Sequence, residues 1–438
     1  MFKKIQILDK YSEHFIDNNR LGLYFFLAGI FFLPTAFVIS ALLFLISIII
    51  SFYIKKENYL KDGWNKTLFL TGTLIIFSAI FNISNDQTIQ GIDNFKYSQS
   101  LLDLANWLPF FLFFITCDDY LKTSKLRKLS SFFFLAGTIP VLVTAFGQYF
   151  FNWNGPFEFL NGLIVWYQRP INEGEGVTGL FNNSNYLGCW LSIILPFSIS
   201  SINKKNKYSL KNIGALSILL TITTAIIMTK SRSAWGALIL SIPLIIGRSS
   251  LIWFIPIMLI ITIVISFTVI PNIYPDLQLF MQSIIPKEFW EEFSPKQFDV
   301  PTRELRINIW LFALKLIKLK PFFGYGAGLF PLIYVIYNKN SVGHTHNIFL
   351  ELAFNYGLPV SIIFLSFLSI IHYKSYRKIN HGERYKNNES KTIDKAWWTS
   401  SFILCGTQLV DVQYYDGKIS IAFWILLAGL KSILNEKK

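Results

Sequence analysis

Cysteine, histidine and charge are all scarce in this chain, and each scarcity closes off a class of function. Among 438 residues there are three cysteines, Cys117, Cys189 and Cys405, each inside an apolar stretch. None forms a Cys-x-x-Cys pair or a metal-ligand spacing, so neither a disulfide framework nor a zinc module is expected. Charged residues make up only 15% of the chain against 53% hydrophobic, a balance that a soluble domain does not need. The first twenty residues are polar and lack the pattern of a cleavable secretory signal, so the first apolar run is expected to be a retained anchor. Internal repeats and low-complexity tracts are missing as well.

What the chain has in abundance is apolar runs of membrane-crossing character. They fall near 21–36, 38–54, 67–83, 105–119, 131–150, 184–200, 213–229, 234–247, 251–270, 358–373, 396–412 and 419–433. The first two are nearly continuous and are divided near Pro34, because the combined stretch is too long for one crossing of a ~30 Å hydrocarbon core. The fold class expected is therefore all-α: a polytopic integral membrane protein of about 12 transmembrane helices.

Charge placement sets the orientation. With the N-terminus in the cytoplasm and strict alternation, most of the 40 Lys and Arg residues fall in inside loops. Examples are Lys55 to Lys66, Lys122 to Lys128, Lys204 to Lys211 and Lys374 to Lys395. Short loops follow the positive-inside rule, and both termini are expected inside. The net charge of +14 thus reflects topology. No stripe of alternating basic and aromatic residues suggests nucleic acid.

Three outside segments are long: 84–104, 151–183 and 271–357. The last could hold helices of its own but hardly an independent core. Within it, RELRINIWLFALKLIKLK at 303–320 reads as a basic amphipathic helix suited to a membrane interface, ended by Pro321 and the turn FFGYGAG. GYGAG is not a dinucleotide fingerprint, since no strand precedes it.

Candidate chemistry gathers on the outside. Two of the five histidines, His344 and His346, stand two residues apart beside Asn347 at the start of an apolar helix. His346 reads either as a backbone-bonded histidine at a helix start or as a general base, because an imidazole with an ordinary pKa near 6.5 suits removal of a hydroxyl proton. His344 is the second candidate, and Glu351 is a candidate to orient an imidazole. A metal on His344 and His346 is not expected, since no paired carboxylates lie nearby in sequence. Lys230 and Arg232 in MTKSRSAWGA are either snorkelling charges or ligands for a phosphate, which a guanidinium grips with two bonds. Arg306, one turn before Trp310, is an interfacial anchor or a second phosphate clamp, with Arg303 as its competitor. Asn183 and Asn185 in GLFNNSNYLG read as a helix cap or as ligands for sugar hydroxyls.

Taken in order, GLFNNSNYLG, SRSAWGAL, RINIWLFALKLIKLKPFFGYGAGLF and HTHNIFLELAFNYGLP resemble the core of the O-antigen ligase and polymerase superfamily of bacterial envelope proteins, over about residues 179–360. The ligase branch carries His-Asn, nine residues and Gly; here His346 and Asn347 precede Gly357, with Val360 where ligases usually have Gly, Thr or Tyr.

The resemblance implies a division into N-terminal transmembrane helices (1–178), a ligase-like core including the large loop (179–360) and C-terminal transmembrane helices (361–438). It implies metal-independent, inverting glycosyl transfer on the periplasmic face of a bacterial inner membrane, without a cofactor. The donor would be a glycan on undecaprenyl pyrophosphate, and the acceptor a lipid A–core or other glycan. His346 would be the base, with Arg232 and Arg306 on the pyrophosphate. Lys230, Arg303, His344, Asn347, Asn183 and Asn185 would contact substrate. The alternatives are a polymerase that extends the lipid-linked glycan, transfer to a pilin-like protein, and a bicarbonate-like transporter. Transport is disfavoured because few carboxylates sit within crossings, Asp411 being the exception, and because no inverted repeat is seen.

Overall fold

The computed structural model describes residues 17–54, 59–84, 97–172, 174–202, 209–270, 274–285, 290, 306–381, 385 and 388–436. Each of the twelve apolar runs lies in helix: α1 (Asp17–Phe32), α2 (Phe37–Ile54), α3 (Gly63–Ser84), α4 (Leu108–Cys117), α5 (Ser124–Phe151), α6 (Ser184–Ser200), α7 (Leu210–Met228), α8 (Arg232–Ile246), α9 (Leu251–Val269), α14 (Leu358–His381), α15 (Asn388–Thr407) and α16 (Gly417–Asn435). Among the described residues, eight helical stretches are long and apolar enough to cross a membrane. The eight include α4 extended at both ends over Ser100–Leu121. α1, α6 and α8 are short, at 16, 17 and 15 residues, and the first half of α15 is polar. The chain is an all-α polytopic membrane protein.

Two helices form the centre. Along α6 every residue from Leu187 to Ser198 is buried, and α16 is buried from Ile419 to Ile433. α9 is the opposite case: Thr268 is its only buried residue, as a lipid-facing helix requires. Between the long helices, β1 (Phe157–Phe159) and β2 (Ile164–Trp166) pair antiparallel into a hairpin that the sequence pattern did not announce. All three cysteines are free.

Among the described residues, the loop after α9 carries the short helices α10 (Pro275–Ile284), α11 (Arg306–Leu319), α12 (Leu329–Asn338) and α13 (Ile348–Tyr356). The expectation that this loop lacks a core of its own is corrected. Ile309, Ala313, Leu316, Ile317, Tyr325, Leu329, Phe330, Ile333, Tyr334 and Phe354 form a second apolar cluster, apart from the main one. Aromatic packing makes so small a core workable: Tyr325 stacks on Phe354 at 5.0 Å, and Phe330 meets Phe354 edge-on at 5.1 Å. Backbone contacts join the cluster to the bundle. Tyr325 N–H donates to Phe354 O at 2.7 Å, Leu358 N–H donates to Pro321 O at 2.7 Å, and Ser78 and Asn82 of α3 both donate to Phe323 O.

Candidate functional site

The site is built where the turn before α13 meets the turn after α15. Asn347 starts α13: its Oδ1 accepts the N–H groups of Phe349 and Leu350, a cap worth about 1 kcal/mol. Its Nδ2 donates across to Leu409 O at 3.0 Å, and Ile348 N–H donates to Gln408 O at 3.0 Å. These two bonds staple the 343–347 turn to the 408–411 segment. That segment is held from below by Tyr414, which stacks on Trp107 at 4.5 Å, donates to Asn106 O and accepts from Trp424 Nε1.

The staple sets His346 Nδ1 2.8 Å from Asp411 Oδ1, with Arg306 Nη2 3.9 Å from Asp411 Oδ2. Burial alone would raise the Asp411 carboxyl. The hydrogen bond from His346, with the Arg306 guanidinium beside it, outweighs this and holds the carboxyl below its ordinary value. Asp411 is therefore an ionised acceptor, and His346 Nδ1 carries the proton it receives. The lone pair of His346 is left on Nε2, the arrangement a general base needs. His346 is held at φ +54°, a left-handed conformation uncommon for a residue with a Cβ and often found at functional positions.

His344 has the opposite tautomer. Its Nδ1 accepts the His346 backbone N–H at 3.1 Å, so the proton of its neutral ring sits on Nε2. Burial, then the neighbouring His346 imidazole, push its pKa down to about 4, so the ring is neutral at physiological pH. The two rings lie 4.3 Å apart at 60°.

Glu351 does not orient either imidazole, contrary to the sequence expectation. Its buried carboxyl accepts Thr345 N–H at 2.9 Å and lies 3.3 Å from the Asn355 amide and from Tyr415 Oη. It faces inward because it stands on the first turn of α13, whereas His346 lies outside the helix. Asp411, which the sequence reading gave no role in the site, takes the position instead. The available signal was a lone carboxylate at the end of an apolar run; its distance in sequence from His346 hid the pairing.

The structure brings Arg306, His344, His346 and Asn347 together. It sets Asn183, Asn185, Lys230 and Arg232 at the same end of the bundle. Asn183 caps α6, its Oδ1 accepting Asn185 N–H at 2.7 Å, so the capping reading holds for it. Arg232 opens α8 behind Lys230, whose φ is +52°. The first turn of α8 packs on that of α6, where Gly188 admits Ser231 and Ala234 so closely that a Cβ would lie 2.8 Å from Ala234 Cβ. Cys189 Sγ, in the same turn of α6, lies 3.7 Å from Thr407 Oγ1 at the end of α15. Arg303 lies outside the described residues.

His344, His346 and Asp411 also form a group whose ligand atoms lie within 4.8 Å of one another, a set of N and O donors of the kind zinc takes. The hydrogen bonds already in place oppose such use. Coordination through His344 Nε2 requires the proton on Nδ1, where it would face the His346 N–H; coordination through His346 Nδ1 breaks the bond to Asp411.

Residues 216–365 match the family model described as O-antigen ligase, a span that runs from α7 into α14 and contains Arg232, Arg306, His344 and His346 but not Asp411. No individual curated protein matches the chain. The match covers about a third of the chain and makes that part similar to the O-antigen ligase family, which supports the resemblance to ligase- and polymerase-type membrane proteins.

Proposed function

We propose that the protein transfers a glycan from undecaprenyl pyrophosphate to a hydroxyl of a lipid A–core acceptor on the outer, periplasmic face of a bacterial inner membrane, with both termini cytoplasmic. The observation that carries this reading is the Arg306–Asp411–His346 constellation: a base in a fixed tautomer beside a guanidinium. In the reaction the acceptor O–H gives its proton to His346 Nε2 as the oxygen bonds the anomeric carbon. The bond from that carbon to the pyrophosphate oxygen breaks with its electron pair on the leaving group, and the anomeric centre inverts. Asp411 stabilises the imidazolium that forms. Arg306, which is 42% exposed, meets the charge on the departing pyrophosphate, and Arg232 is its second clamp. Fixed cations of this kind stabilise the leaving group without a metal. Lys230, Arg303, Asn183, Asn185 and Asn347 are assigned to substrate contact around them.

The test uses purified protein, a labelled undecaprenyl-pyrophosphate glycan, lipid A–core and a chelator. The expected product is a mass-shifted acceptor, lost in His346→Ala and in the double variant Arg232→Ala, Arg306→Ala. A ladder of repeats on the carrier lipid, with the acceptor untouched, would assign the protein to polymerisation. Normal transfer by the double variant would remove the phosphate clamp from the mechanism.

A further inference from the structure

The two imidazoles are adjacent, oppositely polarised and rigidly held, and base catalysis explains only one of them. We propose that His344 selects the acceptor: its Nε2–H donates to the oxygen next to the attacking hydroxyl, so that the imidazole pair reads two vicinal oxygens of one sugar ring. The inference rests on the transfer reading above and adds to it the chemical class of acceptor.

Three observations carry it. The first is tautomeric. A backbone N–H has no choice but to donate, so the 3.1 Å bond from His346 N–H fixes His344 Nδ1 as the acceptor and Nε2 as the donor. His346 has the reverse pattern, with Nε2 as the acceptor, because its Nδ1 faces the Asp411 carboxylate at 2.8 Å. One donor and one acceptor thus stand on rings only 4.3 Å apart. A vicinal diol presents the matching pair: one hydroxyl that gives up its proton and a neighbouring oxygen that accepts one.

The second is rigidity. Thr345, between the two histidines, is clamped on both sides, its N–H by Glu351 at 2.9 Å and its Oγ1 donating to Asn347 O at 2.9 Å. A donor fixed in this way discriminates more sharply than one on a flexible side chain, because a mismatched ligand cannot be followed.

The third is charge state. His346, Asp411 and Arg306 are the charged or titratable groups that act on His344, and the Tyr415 ring lies 6.5 Å away with Glu351 behind it. The net effect keeps the ring neutral, so it binds without competing with His346 for the acceptor's proton. A water molecule or a serine hydroxyl offers a single oxygen. Either would leave the His344 N–H without a partner in a partly buried site, a cost that works against hydrolysis of the donor and against protein acceptors.

The test pairs a labelled undecaprenyl-pyrophosphate glycan with a synthetic core oligosaccharide, offered with all its hydroxyls and as monodeoxy forms. In the wild type, removing the oxygen next to the attacking hydroxyl should lower kcat/KM at least about tenfold. His344→Asn keeps an oxygen near the Nδ1 position for the His346 N–H but withdraws the donor. It should transfer to the full acceptor at the deoxy level and respond less than about twofold to the deoxygenation. His344→Gln, with an amide donor at the reach of Nε2, should recover part of the preference. Nitrogen-15 spectra of the imidazoles should show the Nε2–H tautomer at His344. Undiminished discrimination in His344→Asn, or a wild type indifferent to every neighbouring oxygen, overturns the proposal. Normal transfer by His346→Ala would instead overturn the reading beneath it.

Discussion

At the scale of single residues, the site is a proton inventory fixed by hydrogen bonds. Asp411 decides which nitrogen of His346 is basic, so its charge matters more than its shape. Asp411→Asn keeps the volume but removes the ion that favours Nδ1–H and the imidazolium. Turnover should fall by about 10²-fold or more, since a well-placed base contributes about 10² to 10⁴. The donor KM should change little, because Asn does not displace Arg306; a steady-state split of kcat from KM checks this. His344 supplies a pH prediction. Its pKa is lowered from 6.5 to about 4, with burial the largest cause. The folded state therefore binds fewer protons than the unfolded state between those values, and stability contributed by the neutral ring is full above 6.5 and lost as pH falls towards 4. Protonation also removes the acceptor of the His346 N–H. Protection of the His346 amide against hydrogen exchange, corrected for intrinsic rate, should decline through that window and be pH-independent there in His344→Asn.

At the scale of elements, the site depends on a backbone crossing that ties α11, the Arg306 helix, to α13 and α14. Gly324 and Gly357 are its pins. Gly357 has φ +94°, and a Cβ there would stand 2.0 Å from Phe322 O; Gly324 has φ +62°, with its Cβ position 2.3 Å from Phe354 O. Neither contact is to a flexible side-chain end, so the backbones themselves must part. Gly357→Ala should lower the thermal midpoint in detergent and raise the donor KM through displacement of Arg306, while Gly343→Ala, with nothing within 4 Å of its Cβ position, should leave the midpoint unchanged. This level also shows what could be read beforehand. Helix locations were legible because lipid demands continuous apolar runs, and α11 was legible from RINIWLFALKLIKLK. The second core was not, because it is assembled from aromatics of four separate segments. Nor was Asp411: nothing local distinguishes it, and it meets His346 only after the α14–α15 pair has folded back. Glu351, nearer in sequence, looked the better partner, yet helix geometry turns it inward.

At the scale of the molecule, the proposed site and the buried ion-pair fastening lie at opposite ends of the bundle. α15 is 20 residues long, so its two ends are separated by ~30 Å. One end leads to Asp411. At the other, Arg127 is fully buried, bonding both oxygens of Asp394 at 2.7 and 2.9 Å, Glu436 at 2.7 Å and Leu121 O at 2.9 Å. Tyr385 donates to the same Asp394 carboxylate, and Lys431 reaches Asp118 at 3.1 Å and Asn65 at 2.9 Å close by. These contacts fasten α3, α5, α15 and α16 where the chain expects cytoplasm. Removing one partner of such a pair leaves an uncompensated buried charge, which costs about 3–5 kcal/mol. Arg127→Met should therefore unfold at markedly lower temperature in detergent, yet transfer per folded molecule should stay within about twofold, since the 408–411 turn keeps its own fastening to Trp107, Asn106 and Trp424. Asp411→Asn should show the reverse: an ordinary midpoint and little turnover. If Arg127→Met instead lost turnover in its folded fraction, the two ends would be mechanically coupled through α15, and the rigid staple beneath His346 could not be the sole source of its geometry.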